Sequence, residues 1–207
     1  MRKTRKAAAI LTAAAMAAAS AMPVMADEIK DLYDYETQAR EVETWNILHS
    51  QSAADLNVLT NLYDGLVEAD EYGKVVPAIA ESWETEDNGI TWTFHLREGV
   101  KWVDQNGNEK GEVTAQDFLT GLEWILNFHK NDAANTSMPM EMIVGAEDYY
   151  NMTSELDADA GFALTAESPE FADTVGIKAI DDYTLQYTCV SEKPYFDIFR
   201  LIISTRT

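Results

Sequence analysis

Few residues of this sequence are spaced in a way that could do chemistry. The three histidines, His49, His95 and His129, lie far apart on different predicted elements, and Cys189 is the single cysteine. One cysteine excludes an intramolecular disulfide framework and a cysteine-rich zinc site, because both need several thiols. We interpret the histidines as surface or strand-packing residues and Cys189 as a small buried hydrophobic residue.

The most suggestive ligand pattern is Asp104-x-Asn106-x-Asn108, which begins like a calcium-binding loop. The pattern then fails, because its sixth position is Glu109 instead of glycine and its twelfth is Ala115 instead of glutamate. We interpret this segment as the polar tip of a hairpin, and we predict no metal site.

Catalytic motifs are also missing from the sequence. It contains no Gly-x-Ser-x-Gly nucleophile elbow, no His-Glu-x-x-His zinc pair and no glycine loop for phosphate. Its 36 acidic residues are too many for sequence proximity to single out an acid–base pair. We predict no catalytic residue and no cofactor. A secreted hydrolase with an unrecognised carboxylate pair stays an alternative.

The charge balance excludes a nucleic-acid binder and supports a packed core. The chain has 207 residues with 36 acidic and 15 basic side chains, for a formal charge of −21. Phosphate recognition needs clustered lysine and arginine, which are scarce here. Hydrophobic residues make up 46% of the chain and aromatic residues 10%, enough to bury a core. The dispersed carboxylates give solubility and do not indicate a cationic substrate.

The first 26 residues have the pattern of a secretory signal peptide. Four basic residues precede an alanine-rich apolar run over 7–22, and small residues lead to Asp27. Cleavage is predicted after Ala26, with cleavage after Ala21 as an alternative. A membrane anchor is the other reading, but the run is short and weakly hydrophobic for a span. Without this leader the formal charge is −25, and we expect the protein outside the cytoplasm.

Helix starts are predicted where Ser52 and Thr114 are each followed three residues later by aspartate. This spacing fits a capping box, in which two side chains satisfy backbone donors at the start of a helix. The apolar periodicity then predicts helices over 52–63 and 114–129. A third helix is predicted over 141–152.

Strands are predicted where apolar and polar residues alternate. The clearest is 90–96, and a hairpin over 175–190 places Leu185, Tyr187 and Cys189 on one face. Shorter extended segments are predicted at 40–45, 66–69 and 101–103, and Asn106-Gly107 favours a type I′ turn. Segment 77–83 is interpreted as a connector, and 153–173 as an irregular acidic loop. The pattern as a whole is an α/β alternation.

Ordered sequence blocks extend through most of the chain after the leader. They read Asn57-x-x-x-Asn61-Leu62-Tyr63-Asp64-Gly65-Leu66-Val67, Gly73-Lys74-Val75-Val76-Pro77-x-Ile79-Ala80-Glu81-Ser82-Trp83-Glu84, Gly89–Trp102, Val113–Phe118, Gly176–Leu185 and Lys193-Pro194-Tyr195-Phe196. These blocks resemble the extracellular solute-binding proteins of family 5, which serve ATP-driven importers of dipeptides, oligopeptides, nickel or related solutes.

The resemblance implies a fold and a domain organisation. It implies an α/β fold, a periplasmic-binding-protein-like (type II) lobe of mixed sheet with flanking helices, incomplete because the second lobe is missing. The expected domains are a signal peptide over 1–26 and an amino-terminal lobe over 27–207, truncated at its C-terminus. An inserted subdomain is expected over roughly 67–170.

The implied function is the extracytoplasmic substrate-binding component of an ABC transporter, which captures peptides for import. The expected partners are a peptide ligand and the membrane permease subunits of the importer, with no nucleic acid and with a monomeric protein. A truncated, non-binding remnant of such a protein stays an alternative.

The resemblance also assigns candidate ligand-binding residues. The peptide-facing loop of the family falls on Gln51, Ser52 and Ala53, where backbone groups would pair with the ligand. A second contact, often tyrosine in the family, falls on Met140. A pure capping role for Ser52 and core packing for Met140 are the alternatives. The Asp-Pro of the family is replaced here by Asn46-Ile47.

Overall fold

The computed structural model describes residues 41–50, 52–85, 87–131 and 136–193, which belong to one unit of the chain. The predicted signal peptide, Gln51, Arg40 of the first predicted strand and the Pro194–Phe196 part of the last block lie outside the described residues. The division into a lobe with an inserted subdomain stays a prediction.

Short helices and strands alternate along the described chain. In order, they are α1 (Ala53–Leu59), β1 (Val67–Ala69), β2 (Val75–Pro77), β3 (Ala80–Thr85), β4 (Thr91–Leu96), β5 (Lys101–Val103), β6 (Glu109–Glu112), α2 (Ala115–Leu126), α3 (Phe128–Asn131), α4 (Ser137–Met142), α5 (Ala146–Ser154), α6 (Ala158–Ala163), α7 (Pro169–Ala172), β7 (Ile177–Asp181) and β8 (Thr184–Thr188). The predicted α/β class is confirmed.

The largest sheet has four strands in the order β3-β4-β8-β7, and β1–β2 and β5–β6 form separate two-stranded sheets. Each strand pairing within the described residues is antiparallel. The parallel pairs that a mixed sheet implies therefore do not occur in this part of the chain.

Strands β4 and β8 form the centre of the core, as their alternating residues predicted. Phe94 lies opposite Leu185 and Trp92 opposite Tyr187. All four side chains are buried, and Phe94 meets Tyr187 edge to face at 6.1 Å between ring centroids. Cys189 is 2% exposed on the same face, as predicted. One face of the sheet thus packs against helices, and the other carries polar side chains.

Helix α2 covers the apolar face and begins where it was predicted. The Thr114 backbone N–H donates to Asp117 Oδ2 at 2.7 Å, so the second capping box is confirmed. Phe118, Leu122 and Leu126 are buried, and the helix packs against β7. The helix ends at Leu126 instead of running to 129, and α3 follows as a separate turn.

The helix predicted over 141–152 is wrong as a single element, because the chain breaks between α4 and α5. Ile143 forms an antiparallel bridge with Cys189, and the Val144 N–H donates to the Thr188 carbonyl at 3.0 Å. Gly145 follows with φ 71°, a left-handed backbone that ends the extended step. Contact with the end of β8 therefore overrides the local helical pattern.

Two other predictions fail at the edge of the fold. Residues 41–45 form no strand, and the connector predicted over 77–83 contains most of β3. In β3 only Ala80 is buried, so the strand has little of the apolar alternation that identifies a strand in a sequence. β2 was missed for a similar reason, because all three of its residues are at least partly exposed.

The acidic segment 153–173 is more ordered than predicted. It contains α6 and α7, and Phe171 of α7 is fully buried against Tyr149, with ring centroids 5.1 Å apart. A single buried aromatic residue in a short helix produces no periodic sequence pattern, so α7 could not be predicted from the sequence.

The polar hairpin tip is confirmed, but its turn type is wrong. Asp104 Oδ1 accepts from the backbone N–H groups of Asn106 at 2.9 Å and Asn108 at 3.0 Å. Only Gly107 in this turn has a positive φ, 78°, whereas a type I′ turn needs two such residues. Hydrogen bonds from Asn108, first from its side chain, lower the pKa of Asp104. The carboxylate therefore organises the turn.

Candidate functional site

The segment that the resemblance assigns to the ligand leads into α1. Ser52 is the N-cap residue and has extended backbone angles, φ −92° and ψ 129°. Its carbonyl accepts from the Leu56 N–H at 3.0 Å, but its side chain makes no capping hydrogen bond. The capping box predicted at Ser52 is therefore wrong, and the helix ends at Leu59 instead of at 63. Ala53 is exposed, and Gln51 lies outside the described residues.

Asp55, which was predicted to complete that capping box, has different partners. Its side chain is buried, with 1% of the residue exposed. Oδ1 accepts from the Glu43 backbone N–H at 2.8 Å, and Oδ2 accepts from Ser50 Oγ at 2.9 Å. Ser50 Oγ accepts in turn from the Ser52 N–H at 3.3 Å. One carboxylate thus connects the start of the described chain to the candidate ligand-binding segment.

A tight turn precedes this segment in the chain. Asn46 Oδ1 accepts from the Leu48 N–H at 3.0 Å, and the Asn46 carbonyl accepts from the N–H groups of His49 and Ser50, both at 3.1 Å. Ile47 is buried in a small cluster with Leu48 and with Leu59 of α1. The asparagine therefore supplies an acceptor where the resemblance implies an aspartate, and the isoleucine anchors the turn.

Met140, the second candidate contact, lies in α4. It is partly buried and packs against the main hydrophobic cluster, as the core-packing alternative predicts. Ser52 caps helix α1 and Ala53 is its first residue, and this helix packs in the small cluster instead. Helix α2 contributes to both clusters, through Leu122 to the main one and through Trp124 to the small one. A binding role for Met140 stays a prediction.

A buried ion pair lies in the helical layer, and the sequence did not single it out. Lys130 Nζ lies 2.7 Å from Glu123 Oε2, and the two side chains are only 8% and 3% exposed. Glu123 Oε1 accepts from Tyr149 Oη and from Asn127 Nδ2, each at 2.8 Å. Lys130 also donates to the Leu164 carbonyl, so the pair ties the segment after α6 to α2 and α5.

Aromatic rings complete the surroundings of this ion pair. Lys130 Nζ lies 5.9 Å from the ring centroids of both Trp124 and Phe162, within cation–π range. Burial, followed by the charge of Glu123, raises the pKa of Tyr149 far above its ordinary value, so its hydroxyl stays a donor. Each oxygen of Glu123 therefore has a hydrogen-bond partner within the protein.

The polar face of the large sheet holds a concavity of about 450 Å³. Its lining residues are Glu84, Thr85, Asp87, Thr91, Thr93 and Gln186. Asp87 Oδ1 accepts from the Thr91 backbone N–H at 2.6 Å, and this bond lowers the pKa of Asp87. The Asp87 side chain therefore stabilises the turn before β4.

Within the ranges given above, the chain shows no group of three or more side chains that could hold a metal ion. None of the described helices is long and apolar enough to cross a membrane.

The fold defines the class of the protein. It is part of an α/β solute-binding fold, and the solved structures that resemble it include oligopeptide-binding proteins. The substrate-binding domain of an oligopeptide ABC transporter from Bacillus anthracis matches with a TM-score of 0.58 and 29% identity. The match covers 78% of this chain and 27% of that one. Haemophilus influenzae OppA, in complex with the peptide RPPGFSPFR, matches with a TM-score of 0.54 and 29% identity over 73% of this chain and 26% of that one.

The chain belongs to the bacterial extracellular solute-binding proteins, family 5, whose middle part matches residues 74–205. The oligopeptide-binding protein AliB of Streptococcus pneumoniae is 34% identical over 80% of this chain and 22% of its own length. Periplasmic oligopeptide-binding protein OppA of Salmonella typhimurium is 32% identical over 98% of this chain and 33% of its own length. The chain therefore spans between about a fifth and a third of these relatives. The family and these relatives are binding proteins, as the resemblance implied.

Proposed function

We propose that this chain is part of the extracytoplasmic substrate-binding component of an ABC importer and that the protein captures peptides. The observation that carries the proposal is the family match over residues 74–205, together with relatives that are named as oligopeptide-binding proteins. Export by the signal peptide over 1–26, a monomeric state and the permease subunits as partners belong to the same proposal.

Backbone pairing through Gln51, Ser52 and Ala53 is the proposed mode of binding. An extended segment can add to an extended peptide by main-chain hydrogen bonds, which depend little on side-chain identity. Two residues support this role. Ser52 already has extended angles, and its carbonyl oxygen, which accepts from the Leu56 N–H, has a second lone pair that a peptide N–H can use. Ala53 is exposed, with a small side chain that lets another backbone approach closely. Met140 is proposed as a second, apolar contact.

Binding without catalysis is part of the proposal. The carboxylates of Glu123, Asp87 and Asp104 each accept hydrogen bonds that fasten local structure. A general acid or base needs a free position for the substrate's proton. The family match and the relatives named as binding proteins support a carrier over a hydrolase.

Native mass spectrometry of the whole protein, purified from its own cells, tests this proposal. We expect the intact protein to carry a heterogeneous set of added masses that match peptides, and mild activation to release them. The backbone mode of binding leads us to expect several sequences instead of one. A protein that carries only a metal ion or a single non-peptide solute would contradict the proposed substrate class.

A further inference from the structure

We propose that Asn106 is a site of spontaneous deamidation, at which the side-chain amide is converted to a carboxylate in the folded protein. The glycine that follows Asn106 favours the reaction chemically. The position of both residues at the tip of the β5–β6 hairpin leaves them free to react, whereas a second pair of the same sequence is held by the fold. The proposal concerns a covalent modification and does not depend on peptide capture.

Deamidation of asparagine uses the backbone of the next residue as its nucleophile. The Gly107 nitrogen loses its proton to solvent base and attacks Asn106 Cγ, and the side-chain nitrogen takes a proton from solvent and leaves as ammonia. Water then adds to either carbonyl carbon of the cyclic imide, and cleavage of that C–N bond gives aspartate or isoaspartate. Glycine has no side chain that would hinder the attack. The sequence contains two such pairs, Asn88-Gly89 and Asn106-Gly107.

The pair at the hairpin tip is restrained only by its own turn. Asn106 and Gly107 are both exposed, and no atom of the described chain lies within 4 Å of the position that a Gly107 Cβ would take. The Asn106 N–H donates to Asp104 Oδ1 at 2.9 Å, and the Gly107 N–H donates to the Asp104 carbonyl at 2.9 Å. Opening this one turn therefore frees the Gly107 nitrogen, and exposed turns with few buried contacts open at low cost in free energy.

The second Asn-Gly pair has the same chemistry but is fixed by its surroundings. Gly89 is buried, and its N–H donates to Thr85 Oγ1 at 3.0 Å. The Gly89 carbonyl accepts from the Lys193 N–H and from Trp92 Nε1, both at 3.1 Å. The Lys193 backbone also lies against the position of a Gly89 Cβ, so this pair opens only when two segments of the chain separate. Asn88 itself is exposed, so exposure alone does not distinguish the two sites.

A third asparagine separates the effect of the glycine from that of the hairpin tip. Asn108 is exposed in the same tip, but Glu109 follows it, and Asn108 Nδ2 donates to Asp104 Oδ2 at 3.1 Å. We expect Asn106 to react fastest of the three asparagines. Asn88 should react about tenfold more slowly or less, which corresponds to an added opening free energy of about 1.4 kcal/mol.

The test follows deamidation of the whole protein, which is kept folded at mildly alkaline pH and digested in acid at intervals. Peptide mass spectrometry measures the mass gain at each asparagine, and chromatography separates isoaspartate from aspartate. A parallel sample in concentrated urea gives the rates without the fold. Asn106→Gln is the control for the site, because glutamine would have to form a larger ring. Thr85→Ala removes the acceptor of the Gly89 N–H.

We expect the folded protein to gain mass first at Asn106, with both acidic products present, and Asn106→Gln to abolish this gain. In urea Asn88 and Asn106 should react at similar rates, and Thr85→Ala should speed the reaction of Asn88 in the folded protein. No mass gain at Asn106, or equal rates at Asn88 and Asn106 in the folded protein, overturns the proposal. A difference of the same size in urea overturns it as well, because the local sequence and not the fold would then decide which site reacts.

Discussion

Replacing Lys130 with methionine is expected to lower the free energy of unfolding by about 3–5 kcal/mol, the effect of leaving a buried charge without its partner. Methionine keeps the length and apolar contacts of the lysine stem, so the loss reports on the ammonium group. The Glu123 side chain, 3% exposed, would then have only the hydrogen bonds from Tyr149 and Asn127 to compensate its burial. Urea unfolding followed by tryptophan fluorescence measures the change.

Two further variants make this prediction specific. Lys101→Met removes the cation of an ion pair of similar length, 2.8 Å to Glu112, whose side chains are 37% and 30% exposed. The hydrogen bond from Lys101, followed by those from Tyr183 and Gly99, lowers the pKa of Glu112 to about 2. Solvent nevertheless screens this exposed pair, so we expect a much smaller loss of unfolding free energy. Adding Glu123→Gln to Lys130→Met should restore part of the stability, because it removes the unpaired charge. Equal losses of unfolding free energy in Lys130→Met and Lys101→Met would show that burial does not make the pair of Lys130 and Glu123 important for the stability of the helical layer.

Replacing Gly145 with alanine is the second large expected effect. Its φ of 71° is a conformation that costs an L-residue about 1–2 kcal/mol. The added methyl group would also overlap the backbone carbonyl of Thr174, which cannot move aside as a flexible side chain can. Overpacking typically costs about 1–3 kcal/mol more, so we expect a loss of about 2–5 kcal/mol in total. The same urea unfolding measures it.

Gly73 provides the matched control for this change. It has nearly the same φ, 76°, but no atom lies within 4 Å of the position that a methyl group would take. Gly73→Ala should therefore show only the cost of the left-handed backbone. If both variants lose the same stability, the close approach of Gly145 to Thr174 does not restrict this position.

The elements that could be predicted from the sequence are those whose buried residues recur with the period of a strand or of a helix. β4 and β8 alternate strictly, and α2 combines a confirmed capping box with apolar residues spaced by three and four. β3 could not be predicted, because a strand at the edge of the sheet exposes both faces and loses the alternation. The break between α4 and α5 depends on a bridge from Ile143 to Cys189, a contact across 46 positions that no local pattern contains.

The candidate site was predicted only in part. The resemblance assigns Ser52 and Ala53 to ligand binding, and the spacing of Ser52 and Asp55 also fits a capping box, so the sequence left both roles open for Ser52. The capping box does not form, because the turn at Asn46 brings the Ser50 hydroxyl to the Asp55 carboxylate. The pair of Glu123 and Lys130 is seven positions apart and could have been noticed as two turns of one helix. Its burial, however, depends on α5 and on the segment after α6.

Calorimetric titration of the whole protein that the gene encodes, with a randomised pentapeptide library, tests the central claim most directly. The account predicts saturable binding in the micromolar range or tighter, and no binding of an equal concentration of free amino acids. The absence of saturable binding from a folded protein would contradict peptide capture and would favour a truncated, non-binding remnant of the family.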